Sequence, residues 1–166
     1  MSPSLYIGFA FVFLGIAACK KDEPVPEEKP LLQTPEQMIC NKNWVMYAFS
    51  ASPAINWDAN GYMVTDIFSE LPQCERDNAL FFSDSGTYNF NEGISSCSEY
   101  DPQIYQTGIW QFTDNKDTLI LTPEGGSCIK PEVLRIHFLS ASELHIGYAV
   151  TESDTVRTYT EKYRVR

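Results

Sequence analysis

Apolar and polar residues alternate in several short runs of this chain, and this alternation is the strongest constraint on its fold. The runs cover residues 44–49, 134–138, 144–150 and 156–165. A period of two places every second side chain on one face of an extended chain, which is typical of half-buried β-strands. The last run carries Arg157 and Glu161 on the same face as its apolar residues. These runs predict strands that are buried on one face.

Short turn signals separate the strand-like runs. They include residues 83–86 (Ser-Asp-Ser-Gly) and residues 114–116 (Asp-Asn-Lys). No long helical pattern lies between the later strands, which disfavours a βαβ architecture. We therefore predict an all-β fold, an antiparallel up-and-down barrel of about eight strands, because closure removes exposed sheet edges. Thr34-Pro35-Glu36-Gln37 has the form of a capping box and predicts a short helix before the barrel.

The spacing of the cysteines predicts two disulfides. Four cysteines lie in the predicted domain, at Cys40, Cys74, Cys97 and Cys128, and they allow three pairings. Cys74 precedes Ser85 by eleven residues and Cys97 follows it by twelve. Residues equidistant from a hairpin turn lie opposite each other, so Cys74 and Cys97 are expected to pair at the open end of that hairpin. Cys40 is then left to pair with Cys128.

The N-terminal segment predicts export and lipid attachment. Residues 1–18 contain no charged side chain and end in Ile16-Ala17-Ala18, directly before Cys19. This pattern is typical of a lipoprotein signal peptide, and Cys19 is expected to carry the lipid that anchors the protein to a membrane. Residues 19–33 are rich in proline and charge and predict a disordered tether, followed by a barrel domain at residues 34–166. We expect a cell-envelope location, as an outer-membrane lipoprotein that faces the periplasm or the cell surface.

The net charge of the chain limits its partners. It is −10 at pH 7, so the protein repels nucleic acid and anionic lipid. We therefore expect no nucleic-acid role. An acidic surface instead favours a basic protein partner.

The order of several short motifs resembles that of the lipocalin-like domains of bacterial lipoproteins. The motifs are Asn43-Trp44, residues 74–78 before Phe81 and Phe82, residues 84–88, residues 92–97 and residues 108–110. The resemblance covers about residues 38–165. It implies a β-barrel and leaves the nature of any ligand open.

Three aromatic residues are candidate ligand contacts. Trp57, Tyr62 and Tyr100 lie in irregular stretches, residues 50–62 and 98–107, that we expect to form loops at the barrel mouth. Exposed aromatic residues on loops often serve recognition, although rings in such places also cap a core. We expect a small apolar or glycan ligand. The alternative is a protein-binding module, such as an inhibitor or an accessory subunit of an outer-membrane complex.

The sequence gives no motif for a metal, a cofactor or a catalytic centre. His137 and His145 are its only histidines, and there is no Cys-x-x-Cys pair. We interpret both histidines as surface residues on neighbouring strands. Gly-x-Ser-x-Gly, His-Glu-x-x-His and phosphate-binding glycine loops are also missing. We therefore expect a protein that is not an enzyme, although a carboxylate pair for glycoside hydrolysis has no local signature and stays open.

Overall fold

The structure, a computed structural model, describes residues 32–59, 61–125, 130–152 and 154–166. The predicted signal peptide, the lipid-bearing Cys19, nearly all of the predicted tether, and Cys128 lie outside these residues.

In the described part of the chain, nine antiparallel strands form one sheet, and eight of them close into a barrel. The strands are β1 (Asn43–Ile55), β2 (Val64–Asp66), β3 (Ala79–Phe82), β4 (Thr87–Asn91), β5 (Ile104–Phe112), β6 (Thr118–Pro123), β7 (Glu132–Leu139), β8 (Glu143–Glu152) and β9 (Thr155–Val165). From β3 to β9 each strand pairs with the next, and β1 pairs with both β3 and β9, which closes the barrel. The short β2 pairs only with the far end of β1. The predicted all-β up-and-down barrel is confirmed.

A short helix, α1 (Pro35–Ile39), precedes β1 as predicted. The Thr34 side chain accepts from the Gln37 backbone N–H, and the Gln37 side chain accepts from the Thr34 N–H, so the capping box is complete. Ile39 is fully buried, and its carbonyl accepts a 2.8 Å hydrogen bond from Nε1 of Trp44. This end of the barrel, the closed end, contains the main apolar core. No helix in the described part of the chain is long and apolar enough to cross a membrane.

Two β-bulges change which residues face the barrel interior. On β1, Met46 pairs with Tyr163 and Ala48 with Lys162, so Tyr47 is an extra residue. A bulge shifts the alternation of inward and outward side chains by one residue. After Trp44 and Met46, the next side chain that points into the barrel is therefore Phe49 and not Ala48. Phe49 is buried as a result. The sequence pattern, which grouped Ala48 with Trp44 and Met46, was wrong at this position.

The second bulge lies at His137 on β7. Ile136 pairs with Ile146, but Phe138 pairs with His145 on the outer face. The rings of Phe138 and His145 are in contact, with centroids 5.2 Å apart. Phe138 therefore lies outside the barrel, whereas the alternation had grouped it with the inward Leu134 and Ile136.

The barrel mouth, opposite the closed end, contains more strand than the sequence indicated. Residues 50–55 continue β1, because they pair with β9 through Ser50–Thr160 and Ser52–Thr158. Residues 104–107 begin β5 and pair with β4. The expected mouth loops are therefore shorter than residues 50–62 and 98–107.

One predicted disulfide is confirmed. Cys74 and Cys97 are bonded, and they join the segment before β3 to the loop after β4 at the mouth. Cys40 is buried and has no disulfide partner among the described residues. Its pairing with Cys128 stays a prediction, because Cys128 lies outside them.

Candidate functional site

The mouth half of the barrel contains a cavity of about 620 Å³. All eight strands of the closed barrel contribute residues to its lining, so it lies in the barrel interior. The lining residues are Met46, Leu80, Tyr88, Phe90, Gln106, Leu121, Pro131, Glu132, Val133, Leu134, Ile146, Tyr148, Ala149, Glu161 and Tyr163. Most are apolar or aromatic, and the polar groups are Gln106, Glu132, Glu161 and the tyrosine hydroxyls. An apolar cavity with few polar groups is the usual form of a small-molecule site.

The cavity reaches the outside between β7 and β8. These strands pair from Arg135–Gly147 towards their connecting turn. Val133 and Ala149 lie beyond that last pair, and both line the cavity. Val133 is 59% exposed, and Ala149 is also exposed. This gap between the two strands is a lateral opening beside the cavity.

A carboxyl group lies in the wall of this cavity. Glu161 on β9 pairs with Ile146 on β8 and with Phe49 on β1, so its side chain is on the inward face between two apolar neighbours. The Tyr163 hydroxyl donates a 2.5 Å hydrogen bond to Oε2 of Glu161. Tyr148 on β8 lines the same cavity, and it and Glu161 influence each other's pKa. Tyr163 therefore holds Glu161 in place.

Burial changes the acidity of this cluster. It raises the pKa of Glu161 above its ordinary value, and the charge of Glu132 adds to the rise, while the hydrogen bond from Tyr163 opposes it. Burial and the neighbouring Glu161 also raise the pKa values of Tyr148 and Tyr163. Both tyrosines therefore stay protonated at neutral pH and can donate to the carboxyl group.

A third tyrosine, Tyr88, lines the cavity from β4. Nε2 of Gln106 donates a 2.8 Å hydrogen bond to the Tyr88 hydroxyl. Burial raises the pKa of Tyr88 to about 12. Gly108 on β5 leaves the space for the Tyr88 ring, since a Cβ at this position would lie 2.6 Å from Cε1 of Tyr88 and 2.3 Å from the Thr122 carbonyl oxygen.

A second cavity of about 530 Å³ adjoins the first at the mouth and shares Met46, Phe90 and Tyr163 with it. Trp57 lines this second cavity and packs edge-to-face on Phe49, with ring centroids 5.7 Å apart. Of the three predicted ligand contacts, Trp57 is therefore the one that borders a cavity, and it is 41% exposed.

The other two predicted contacts lie further out. Tyr62 is 75% exposed and Tyr100 is 87% exposed. Neither belongs to the described residues that line the two mouth cavities. A ligand-binding role for these rings, as for Trp57, stays a prediction.

The two histidines lie on the outer face of the barrel. Nε2 of His145 is 2.9 Å from the Tyr47 hydroxyl and 3.4 Å from Oε2 of Glu143. His137 lies over Gly147, where an added Cβ would come within 2.4 Å of its Nε2. Within the described ranges, no cluster of three His, Cys, Asp or Glu residues could hold a metal ion.

The sequence interpretation missed Glu161 as a cavity residue. The signal was present, because Glu161 shares the face of Tyr159 and Tyr163 in the alternation of the last strand. An acid on the apolar face of a strand is expensive to bury unless it has partners. Such a residue is therefore a better indicator of a site than an aromatic residue in a loop.

No protein-family model matches the chain, and no curated protein matches it significantly. Two solved structures of bovine odorant-binding protein are similar to it. A deswapped triple mutant shares 15% identity over 76% of this chain and 73% of that chain, with a TM-score of 0.39. A complex with a selenium-containing odorant shares 14% identity over 84% and 77%, with a TM-score of 0.41. The function of this chain is therefore inferred from its own geometry.

Proposed function

We propose that this protein is a non-enzymatic binding protein that holds a small, mostly apolar ligand inside its barrel. The observation that carries the proposal is the cavity of about 620 Å³ to which all eight barrel strands contribute. A close-packed interior would leave no such volume, since protein cores normally contain few voids larger than a water molecule. An eight-stranded barrel is wide enough to enclose one small ligand.

The lining supports an apolar ligand over a glycan. Leu121, Leu134 and Ile146 contribute aliphatic surface, and the tyrosines contribute ring faces. A glycan needs many polar partners, whereas Gln106, Glu132, Glu161 and the tyrosine hydroxyls are the polar groups among the described lining residues. A glycan is therefore the less favoured ligand. It would bind to the aromatic rings near the mouth, including Trp57.

Binding is tested with the Cys19→Ser variant of the full chain, which cannot accept a lipid, purified without detergent. Titration with the neutral fluorophore N-phenylnaphthylamine should saturate at one molecule per chain. Ala149→Trp should weaken binding, because Ala149 lines the lateral opening. Ala141→Trp, the same substitution in the turn between β7 and β8 near the closed end, should leave it unchanged. A wild-type protein that binds neither this probe nor a glycan panel would overturn the proposal.

We further propose that the protein acts at the cell envelope, anchored through Cys19. The support is the uncharged segment of residues 1–18 and the small residues before Cys19. Expression in bacteria fed an alkyne-labelled fatty acid should label the wild-type chain and leave Cys19→Ser unlabelled. The Cys128→Ser variant is the matched control and should keep the label. Equal labelling of wild type and Cys19→Ser would contradict the anchor.

A basic protein partner is the second candidate function, and the net charge of −10 favours it. Attraction between opposite charges on exposed surfaces weakens as salt screens it. A partner of this kind should therefore be recovered with the envelope-anchored protein at low salt and lost at high salt. Recovery of no salt-sensitive basic protein would count against this candidate.

A further inference from the structure

The charges around the cavity have one sign. Glu161 and Glu132 both line it, and no Lys, Arg or His is among the described lining residues. The adjoining mouth cavity repeats this pattern, since Glu75 and Asp101 line it and its described lining also has no basic side chain. A ligand carboxylate would therefore enter without a cationic partner and would face like charges.

Besides Lys162, which lies between Glu161 and Tyr163 and pairs with His145 on the outer face, two basic residues near the site along the chain are engaged or directed elsewhere. Arg157 lies two residues before Tyr159 on β9, but its guanidinium contacts the Glu152 carboxylate and donates to the carbonyl oxygen of Pro53. Lys130 precedes the lining residue Pro131, and its side chain is exposed. Neither is therefore available inside the cavity to neutralise Glu161.

The carboxyl group of Glu161 keeps accepting capacity on the cavity side. A carboxylate has about four lone-pair sites. The Tyr163 hydroxyl occupies part of this capacity. Because Glu161 lines the cavity, the remainder can accept a hydrogen bond from a ligand donor. A donor that is also positively charged gives the stronger bond.

Tyrosine rings line the same cavity as this carboxyl group. Tyr88, Tyr148 and Tyr163 line the cavity, and Tyr148 stacks on Tyr159 with ring centroids 5.1 Å apart. The face of an aromatic ring attracts a cation, and the attraction grows when water is excluded. Carboxylate and ring faces together are therefore suited to an ammonium group, whereas the apolar wall is suited to a hydrocarbon body.

We propose that the barrel cavity selects organic cations: amphipathic amines whose ammonium group binds Glu161 and whose apolar body fills the space towards Leu121 and Ile146. The inference rests on the proposed function, since it assigns a ligand class to the same cavity. Glu132, on β7 near the lateral opening, adds a second negative charge along the route that the amine takes inward.

The test compares three probes with the same body and different head groups, decylamine, decanol and decanoate, on the Cys19→Ser full-length chain. Affinities are measured by displacement of N-phenylnaphthylamine below the aggregation concentration of each probe. The amine should bind about tenfold or more tightly than decanol, and decanoate should bind most weakly. Glu161→Gln should remove most of the preference for the amine over the alcohol. Glu36→Gln, which removes the same charge at the closed end, should preserve it.

The outcomes separate the two proposals. Binding of decanol and decanoate as tightly as decylamine would overturn cation selection and leave the apolar binding site intact. Binding of none of the three probes, together with no binding of the fluorophore, would overturn the proposed function itself. If Glu161→Gln reduces folding, the wild-type ranking of the three head groups still decides the question. A preference for the amine that survives in a folded Glu161→Gln protein would also overturn the assignment of the ammonium to Glu161.

Discussion

The Tyr163 hydroxyl donates a 2.5 Å hydrogen bond to the Glu161 carboxyl group, and both side chains line the interior of a β-barrel. An acid in such a place opposes folding, because burial disfavours its charged form. The same acid is the strongest polar feature that the cavity offers to a ligand. Ligand recognition and stability should therefore make opposite demands on this one residue.

Glu161→Gln should stabilise the ligand-free protein at neutral and alkaline pH. The pKa of Glu161 is raised in the folded state, mainly by burial. The folded state therefore binds the proton more tightly than the unfolded chain, and the contribution of Glu161 to stability falls as the pH rises through that window. A glutamine has no charge to bury and can still accept from Tyr163. We expect Tm to rise by about 2–4 °C for each kcal/mol by which the free energy of unfolding increases.

The pH dependence separates this effect from a general change in packing. Thermal unfolding measured from about pH 4 to pH 9 should show the gain at high pH and little difference near pH 4, where the wild-type Glu161 is itself protonated. The groups that face Glu161 are Tyr148 and Tyr163, with Glu132 at the opening. The tyrosines remain neutral across this range. An equal shift in Tm at every pH would contradict the electrostatic origin.

Trp57→Ala should weaken binding of an apolar ligand by about twofold to tenfold, which corresponds to the usual contribution of one aromatic contact. Trp57 lines the mouth cavity and packs on Phe49. Tyr100→Ala is the comparison, because Tyr100 is 87% exposed. We expect it to have a smaller effect. Fluorescence titration of both variants checks this, and a larger loss in Tyr100→Ala would favour recognition by the outer loops instead of the cavity.

The sequence pattern was sufficient for the fold, because a period of two and short turns leave few architectures for a chain of this length. The symmetry of Cys74 and Cys97 about a turn likewise identified a pair that the structure bonds. The bulges at Tyr47 and His137 were not visible, because an extra residue in one strand shows only when its partner strand is known. Because of these bulges, Phe49 faces the barrel interior and Phe138 faces outward, and each is on the face opposite to the one that the sequence pattern indicated.

The site was less predictable than the fold. Whether a barrel is hollow depends on how the inward side chains of eight strands fill the space together, and no single strand carries that information. Trp57 was recognisable as an aromatic residue in an irregular stretch. Glu161 was recognisable only as an exception to alternation, and its cross-strand neighbours Phe49 and Ile146 are distant in the sequence.

Replacing Cys74 and Cys97 together by serine should lower the free energy of unfolding by about 3 kcal/mol. The disulfide closes a loop with a sequence separation of 23 residues, and its removal gives the unfolded chain more freedom. Guanidinium unfolding of the oxidised proteins measures the difference. The double variant also tests the predicted Cys40–Cys128 bond. If that bond is present, a reducing agent should destabilise the double variant further and expose two new thiols. An unfolding midpoint equal to that of the wild type would contradict a stabilising role for the first disulfide.

Asp77→Asn should lower the free energy of unfolding at pH 7 by about 1.5–3 kcal/mol, the range for hydrogen bonds to a charged group. Oδ2 of Asp77 accepts from the backbone N–H groups of Ile94 and Ser95, and Oδ1 accepts from the Ser95 hydroxyl. Burial alone raises the pKa of Asp77, but these hydrogen bonds outweigh it and hold the pKa below its ordinary value. The stabilisation should therefore be complete above the unfolded-state pKa and disappear as the pH falls through the lower, folded-state value. Chemical unfolding between about pH 2 and pH 7 checks this, with Asp114→Asn in an exposed turn as the control. A loss in Asp77→Asn that stays constant down to the lowest pH would show that the side chain stabilises the mouth through packing instead of charge.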